Sequence, residues 1–346
     1  MNDTPLRRPT MRDVAEIAGV SLKTVSRVVN HEEGVSDDLA RRVGTAVASL
    51  RYVPDERARN LRQNESRPTS IGFSLVDVSN PFFSAVLRGL EEVARTRNCL
   101  VLSASTDHDQ HRQARLIETF VQRRVAGIVV VPCGPELGLL TPDLLRGTPV
   151  VFVDCEPETG EFDLVRSDHY GGALELTQHL IDHGHRRIGF LGDDTAIFSA
   201  RLRLHGYTDA MAAAGIPVDP QLVITGERSP IGWQTEIFQW LTRLDERPTA
   251  VMSAQNFVTM GAVRALHQLK LERSIALAGF DEIEMGDVVS PAVTVLPQHP
   301  FELGRLAGET LFRRLDGSNE PPVHEILHAS VVQRGSGEIR PAQSPG

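Results

Sequence analysis

The sequence predicts two unlike parts. An N-terminal all-α helix-turn-helix head with a hinge helix leads into a C-terminal α/β body of two parallel-sheet subdomains. Three observations predict this. Short amphipathic helical segments, two of them separated by a glycine turn, fill residues 10–50. From residue 70 onward, short apolar runs alternate with amphipathic stretches, the pattern of βαβ units whose sheets are covered on both faces. The charge is also split: the net is +2 over residues 1–68 and −11 over the remainder, within a total of −9. An acidic body limits unspecific attraction to polyanions, while a basic head keeps a local attraction to phosphate.

In the head, Thr10 and Asp13 form a capping-box pair that starts a helix over 11–18. Val14, Ala15, Ile17 and Ala18 make its buried side, and Gly19 stops it, because glycine tolerates the left-handed backbone of a tight turn. Ser21 caps a second helix. There Val25, Val28 and Val29 share one face, while Leu22, Lys23, Ser26 and Arg27 project from another. A third helix begins at Ser36, with Asp37 and Asp38 in its first turn and Leu39, Val43, Val47 and Leu50 at helical spacing. By pattern alone this is either a helix-turn-helix or a plain helical bundle with a solvated Lys/Arg face. In the first case the second helix enters the major groove. Lys23 and Arg27 then suit guanine edges or phosphates, and Ser21, Thr24 and Asn30 suit phosphate oxygens.

Residues 52–62 form a short helix candidate, with Pro54 in its first turn and Asp55 and Glu56 at its N-terminus. Such a segment is too short to be stable alone. The polar stretch 63–69 reads as a linker. In the body, strands are expected at 71–76, 100–102, 127–131, 149–153, 187–191, 250–253, 275–277 and 326–332. Helices are expected at 81–97, 110–123, 172–183, 199–214, 233–244 and 258–269. A ligand would sit in the cleft between the two subdomains, at the carboxyl ends of the strands.

Composition excludes several classes. With 346 residues, 41% apolar and 23% charged, the chain suits two or three globular domains. It has no apolar run of about 18 residues or more, and its start is polar rather than signal-like, so a cytoplasmic protein without membrane association is expected. Cys99, Cys133 and Cys155 lack metal-ligand spacing and are expected to be reduced, buried thiols. His179, His183 and His185 invite a metal reading, but a histidine ahead of Gly184 is also explained by the helix dipole and cap. No Gly-rich phosphate loop and no nucleophile elbow occurs, so neither a cofactor nor catalysis is expected.

The segment MRDVAEIAGVSLKTVSRVVN at 11–30 closely resembles the head of the lactose-repressor family of bacterial regulators. Body segments resemble it too: DVSNPFF at 77–83, GHRRIGF at 184–190, SARLRLHGY at 199–207, GFDE at 279–282 and LGRLA at 303–307. The resemblance covers residues 10–338 and is weakest around 135–165 and 216–232. It implies a DNA-binding head with its hinge helix over 9–64. It also implies a periplasmic-binding-protein-like, effector-binding and dimerising body over 70–338. The recognition helix would run over 21–30, with Leu22 and Lys23 selecting operator bases, helped by Arg27. Leu22 is apolar, so a thymine methyl is its expected contact. The full DNA-contacting set implied is Thr10, Ser21, Leu22, Lys23, Thr24, Ser26, Arg27, Asn30, Tyr52, Ala58, Leu61 and Arg62. Leu61 matches the wedge that opens a minor-groove base step, flanked by Arg59 and Arg62.

The effector set is expected at Phe83, Asp154, Arg203, Asn256 and Asp281. The resemblance makes Arg203 a ligand-clamping arginine and Asp281 a cleft aspartate. Read as residues alone, Arg203 also suits a helix surface, and Asp154 and Asp281 also suit turns. Two positions depart from the family: Asn256, preceded by Gln255, stands where an aspartate is usual, and the 226–230 loop carries Arg228 and no aromatic. These departures suggest an anionic ligand, a sugar acid or sugar phosphate, rather than a neutral sugar. The expectation is a homodimeric, sequence-specific DNA-binding regulator, a repressor controlled by a small-molecule effector of the sugar type, acting on double-stranded operator DNA. No apolar heptad segment follows the last body strand, so a dimer is expected rather than a tetramer. The same body fold also suits a transporter's solute-binding protein or a two-domain enzyme. The head and the unsignal-like start disfavour the first, and the lack of an acid–base or nucleophile set disfavours the second.

Overall fold

The computed structural model describes residues 9–30, 32, 34–52, 69–133, 142–156, 162–226 and 230–342. The chain divides into two units, Met1–Arg67 and Pro68–Gly346. Among the described residues no helix is long and apolar enough to cross a membrane.

The head holds α1 (Met11–Ala18), α2 (Leu22–Val29) and α3 (Asp37–Leu50). The capping box forms as expected: Thr10 N donates to Asp13 Oδ2 at 2.6 Å, and Asp13 N donates to Thr10 Oγ1 at 3.4 Å. Gly19 takes φ 61°, and its N–H returns to the last turn of α1. Arg42 of α3 reaches back to this turn, donating to Ala18 O at 2.8 and 3.2 Å and to Gly19 O at 3.1 Å. The angle between α1 and α2 is thus held by a charged side chain as well as by the core of Val14, Ala18, Val25, Val43, Ala46 and Tyr52.

The body has two lobes. The first contains β1 (Ser70–Leu75), α4 (Pro81–Thr96), β2 (Leu100–Ser105), α5 (Gln110–Gln122), β3 (Ile128–Val130), α6 (Pro142–Leu145), β4 (Val150–Val153) and β5 (Asp163–Ser167). The chain then crosses to the second lobe. There it forms α7 (His169–Asp182), β6 (Ile188–Gly192), α8 (Phe198–Ala213), β7 (Val223–Thr225), α9 (Pro230–Arg243), β8 (Ala250–Ser253), α10 (Asn256–Leu269), β9 (Ala276–Phe280) and β10 (Thr294–Leu296). It crosses back to build α11 (Pro300–Leu315) and β11 (His324–Leu327) onto the first lobe.

Both sheets are parallel throughout. The first has the order β11-β5-β4-β3-β1-β2 and the second β10-β9-β8-β6-β7. Strands β4, β8 and β9 are buried along their whole length, as expected for strands covered by helices on both faces. Helices α4 and α11 cross so closely that a Cβ on Gly304 would lie 1.9 Å from Val86 O, and one on Gly89 would lie 1.9 Å from Phe301 O. Only glycine fits at either point.

The structure corrects several boundaries. Helix α7 starts at His169, three residues before the expected start. Asp168 caps it by accepting from Gly171 N at 2.8 Å, so Gly171 lies inside the first turn instead of ahead of the helix. Likewise α10 begins at Asn256 because the Gln255 side chain accepts from Phe257 N and Val258 N. The expected strand over 326–332 is replaced by β11, and Val332 instead makes a separate antiparallel bridge with Val295 of the second lobe. Strands β5, β7 and β10 and helix α11 lie outside the elements the sequence predicts.

Candidate DNA-contacting helix and ligand cleft

In the head, α2 presents the expected polar face. Leu22 is 44% exposed, and Ser21 and Lys23 are exposed beside it. Some expected DNA contacts already have partners within the head. Ser21 Oγ accepts from Thr24 N at 3.1 Å and lies 2.9 Å from Thr24 Oγ1. Asn30 Nδ2 donates to Ser26 Oγ at 3.3 Å, and Arg27 lies 3.6 Å from Glu32. Thr10 is taken up by its capping box, and Tyr52 is buried in the head core. Ala58, Leu61 and Arg62 lie outside the described residues, as do Arg59 and Arg228.

The cleft of the body is built at strand ends. Asp154 follows β4 in the first lobe and Asp281 follows β9 in the second. Both take the left-handed backbone, φ 70° and 76°, which aspartate tolerates better than most residues. Arg203 comes from α8 and is 5% exposed, so it is no helix-surface arginine. Its Nη1 donates to Ala254 O at 2.6 Å, its Nη2 lies 3.2 Å from His169 Nδ1, and its guanidinium carbon sits 4.1 Å from the Phe280 ring centroid. Asp281 Oδ2 accepts from Asn256 N at 3.3 Å, and Oδ1 accepts from Gln298 Nε2.

Asn256 does not offer its amide to open space. Its Nδ2 donates to Asn80 Oδ1 at 2.7 Å, linking the second lobe to the N-cap of α4 in the first. Phe83 is packed on the first-lobe core and meets the Phe82 ring edge-on at 5.2 Å. The structure thus brings together Asp154, Arg203, Asp281 and Asn256, and places Phe83 against the core.

Four residues of the cleft lie outside the expected set: His169, Gln298, Asn80 and Ser167. His169 is fully buried, and its Nε2 lies 2.8 Å from Asp154 O. Gln298 follows β10, and Ser167 ends β5. Buried atoms without a hydrogen-bond partner gather here: Asp154 Oδ1, Arg203 Nε, Gln298 Oε1 and Ser167 Oγ. Folded proteins rarely leave such atoms unpaired, so a cluster of them marks a place for another molecule. Charge is arranged as well. Burial works to raise the Asp154 carboxyl, but His169 and Arg203 outweigh it and hold its pKa below the ordinary value. Burial raises Asp281, only partly opposed by Arg203 and Gln298.

The three cysteines are buried and unpaired, and burial raises the thiol pKa of each, Cys99 to about 11. Their low thiolate content makes them poor nucleophiles. His179 pairs with Glu338 at 2.7 Å, and His183 Nδ1 lies 2.8 Å from His179 O, which places both in local contacts. No group of three metal-ligating side chains occurs among the described residues.

Residues 10–55 match the model for bacterial regulatory proteins of the lacI family, and residues 177–337 match a periplasmic binding protein-like domain. The ribose operon repressor of Escherichia coli (strain K12) is 33% identical over 94% of this chain and 99% of its own length. The chain belongs to the lacI family of bacterial regulatory proteins. The HTH-type transcriptional repressor PurR of Photobacterium profundum is 30% identical over 94% of this chain and 98% of its own. The solved structure of the lac repressor dimer bound to operator and the anti-inducer ONPF matches with a TM-score of 0.82 and 25% identity, over 96% of this chain and 99% of that one. This lacI-family chain is a DNA-binding transcriptional regulator that responds to a small-molecule effector.

Proposed function

We propose that this regulator is a cytoplasmic homodimeric repressor whose body cleft binds a neutral polyol of pentose size and thereby sets operator affinity. The observation that carries the reading is the set of unpartnered buried atoms in the cleft. Asp154 Oδ1 and Gln298 Oε1 call for donors, Arg203 Nε calls for an acceptor, and Ser167 Oγ can take either role. Vicinal hydroxyls supply both. Charge supports neutrality: Arg203 faces the ionised Asp154, and burial disfavours ionisation of Asp281. An anionic ligand would rely on Arg228 rather than on the cleft floor. Likeness to a ribose operon repressor makes pentoses the first class to test.

The head, residues 9–64, reads one half of a pseudo-palindrome, and two-fold symmetry of the dimer mirrors that of the operator. Leu22 and Lys23 are the base-reading pair. Their exposure at the start of α2 supports this. The body, residues 70–338, binds effector and dimerises. Effector and operator affinities are coupled reciprocally.

The test is a thermal-shift screen of the full chain against pentoses, hexoses, sugar acids, sugar phosphates and nucleobases, followed by operator titration with any hit. A ligand at a hundred times its Kd adds roughly 2.7 kcal/mol of stability. Pentoses should shift the transition and change operator affinity. Tighter binding of acids or phosphates than of neutral sugars would overturn neutrality and bring the 226–230 loop into the site.

A further inference from the structure

We propose that His169 is a positioning residue for the effector site. In this proposal it locks Arg203 and Asp154 across the two lobes in one proton arrangement, and so leaves Arg203 Nε and Asp154 Oδ1 free to take the ligand. The proposal rests on the reading of the cleft given above.

His169 is the first residue of α7 and is 0% exposed. Its two ring nitrogens face two different partners in two different lobes. Nδ1 lies 3.2 Å from Arg203 Nη2, and Nε2 lies 2.8 Å from the carbonyl of Asp154 and 3.3 Å from Asp154 Oδ1. The partners decide the tautomer. A guanidinium only donates, so Nδ1 must accept and carries no hydrogen. A backbone carbonyl only accepts, so Nε2 must donate. One neutral form, protonated on Nε2, satisfies both contacts. The other tautomer sets donor against donor at Arg203 and acceptor against acceptor at Asp154.

The consequence for the ligand is geometric. Of the five N–H bonds of Arg203, one on Nη1 goes to Ala254 O and one on Nη2 to His169, and Nε is the buried nitrogen with no hydrogen-bond partner. The two contacts fix the plane of the fork over the Phe280 ring, so the direction of the Nε–H is fixed as well. On the other side, the imidazole Nε2 lies 2.8 Å from the Asp154 carbonyl and 3.3 Å from Oδ1, an oxygen whose remaining lone pair can accept a further donor. The donor and the acceptor left for the ligand therefore come from opposite lobes, aligned by one ring. Without that ring, Arg203 could turn its Nε–H elsewhere, and the ligand would have to order both groups itself.

The experiment uses the full chain and two readouts. Nitrogen-15 spectra of imidazole-labelled protein, without ligand, report the tautomer, and the His169 signals are identified by their loss in H169Q. The expected spectrum shows His169 protonated on Nε2 and not on Nδ1. Titration calorimetry with D-ribose then compares wild type, H169Q and H169L. A glutamine amide has one donor and one acceptor, so H169Q should bind within about threefold of wild type, whereas H169L should bind roughly thirtyfold more weakly. In an R203K background, H169L should cost little more, because the group it positions is already lost. A His169 protonated on Nδ1 overturns the proposal, and so does H169L binding as tightly as wild type. Wild type silent toward D-ribose but responsive to another class removes the pentose reading. The tautomer spectrum, which needs no ligand, then still decides the proton arrangement.

Discussion

Asp154 and Asp281 hold equivalent places in the two lobes, and yet their carboxyl pKa values move in opposite directions. Each is the first residue beyond an interior strand, each has left-handed backbone, and each is about equally buried, at 6% and 5% exposure. Burial pushes both carboxyls toward the protonated form. The outcome is opposite because the company differs. Asp154 has His169 and Arg203 beside it and is held below the ordinary pKa. Asp281 is hydrogen-bonded by neutral donors, the Gln298 side chain and the Asn256 backbone N–H, feels the negative Asp154, and is raised. Two carboxylates share one buried cation, and the one that also has the histidine is the one held below its ordinary pKa. The comparison teaches that strand-end geometry places a carboxylate in the cleft but does not choose its ionisation.

The largest effect should come from removing the shared cation. R203A leaves Asp154 buried without its guanidinium partner and deletes the ring contact with Phe280, so thermal or urea unfolding should show a loss of about 3–5 kcal/mol. Effector-induced stabilisation should vanish with it. R203K keeps a charge but not the fork, and should fold better than R203A while still failing to bind effector. Next comes D154N, which should cost about 1–3 kcal/mol and weaken effector binding by tens of fold. It also removes one of the causes that raise Asp281, so Asp281 should ionise at lower pH in that variant, to serve Arg203 in its place. The double variant D154N/D281N then has no counterion for Arg203 and should lose more stability than the two single changes together. Additive losses would show that the two carboxylates do not share the cation.

Much of this site was legible in the sequence, and what was not has physical reasons. Periodicity and caps located α1 to the residue and fixed the start of α2, because Thr10, Gly19 and Ser21 punctuate them. Asp154, Arg203 and Asp281 were reachable because each sits at the end of a strongly apolar strand or inside a family segment. Asn256 was named from the sequence, but its side-chain contact with Asn80, 176 positions away, is a pairing no local pattern encodes. His169 was missed because the helix was expected to start only at Gly172, and the Asp168 cap that starts it three residues earlier becomes visible only once the helix exists. Gln298 follows β10, a three-residue strand too short to announce itself by alternation.

The smallest effect is the most diagnostic of the two-lobe comparison. D281N is nearly isosteric, and its stability at neutral pH should lie within about 1 kcal/mol of wild type, since the Gln298 and Asn256 contacts need only small adjustment. Its pH dependence should differ in sign from that of D154N. A carboxyl whose pKa is raised on folding adds stability that is full below its unfolded value, about 3.9, and is lost as pH rises through the folded value. Wild type should therefore gain on D281N as pH falls into the carboxylate range. A carboxyl whose pKa is lowered adds stability above about 3.9 that is lost as pH falls through the folded value, so wild type should lose its advantage over D154N in acid. Melting temperatures of the three proteins across that range give two difference curves. Opposite slopes mean that the two lobes shift the pKa values of their aspartates in opposite directions before any ligand arrives. Parallel slopes would mean that Arg203 serves both carboxylates alike.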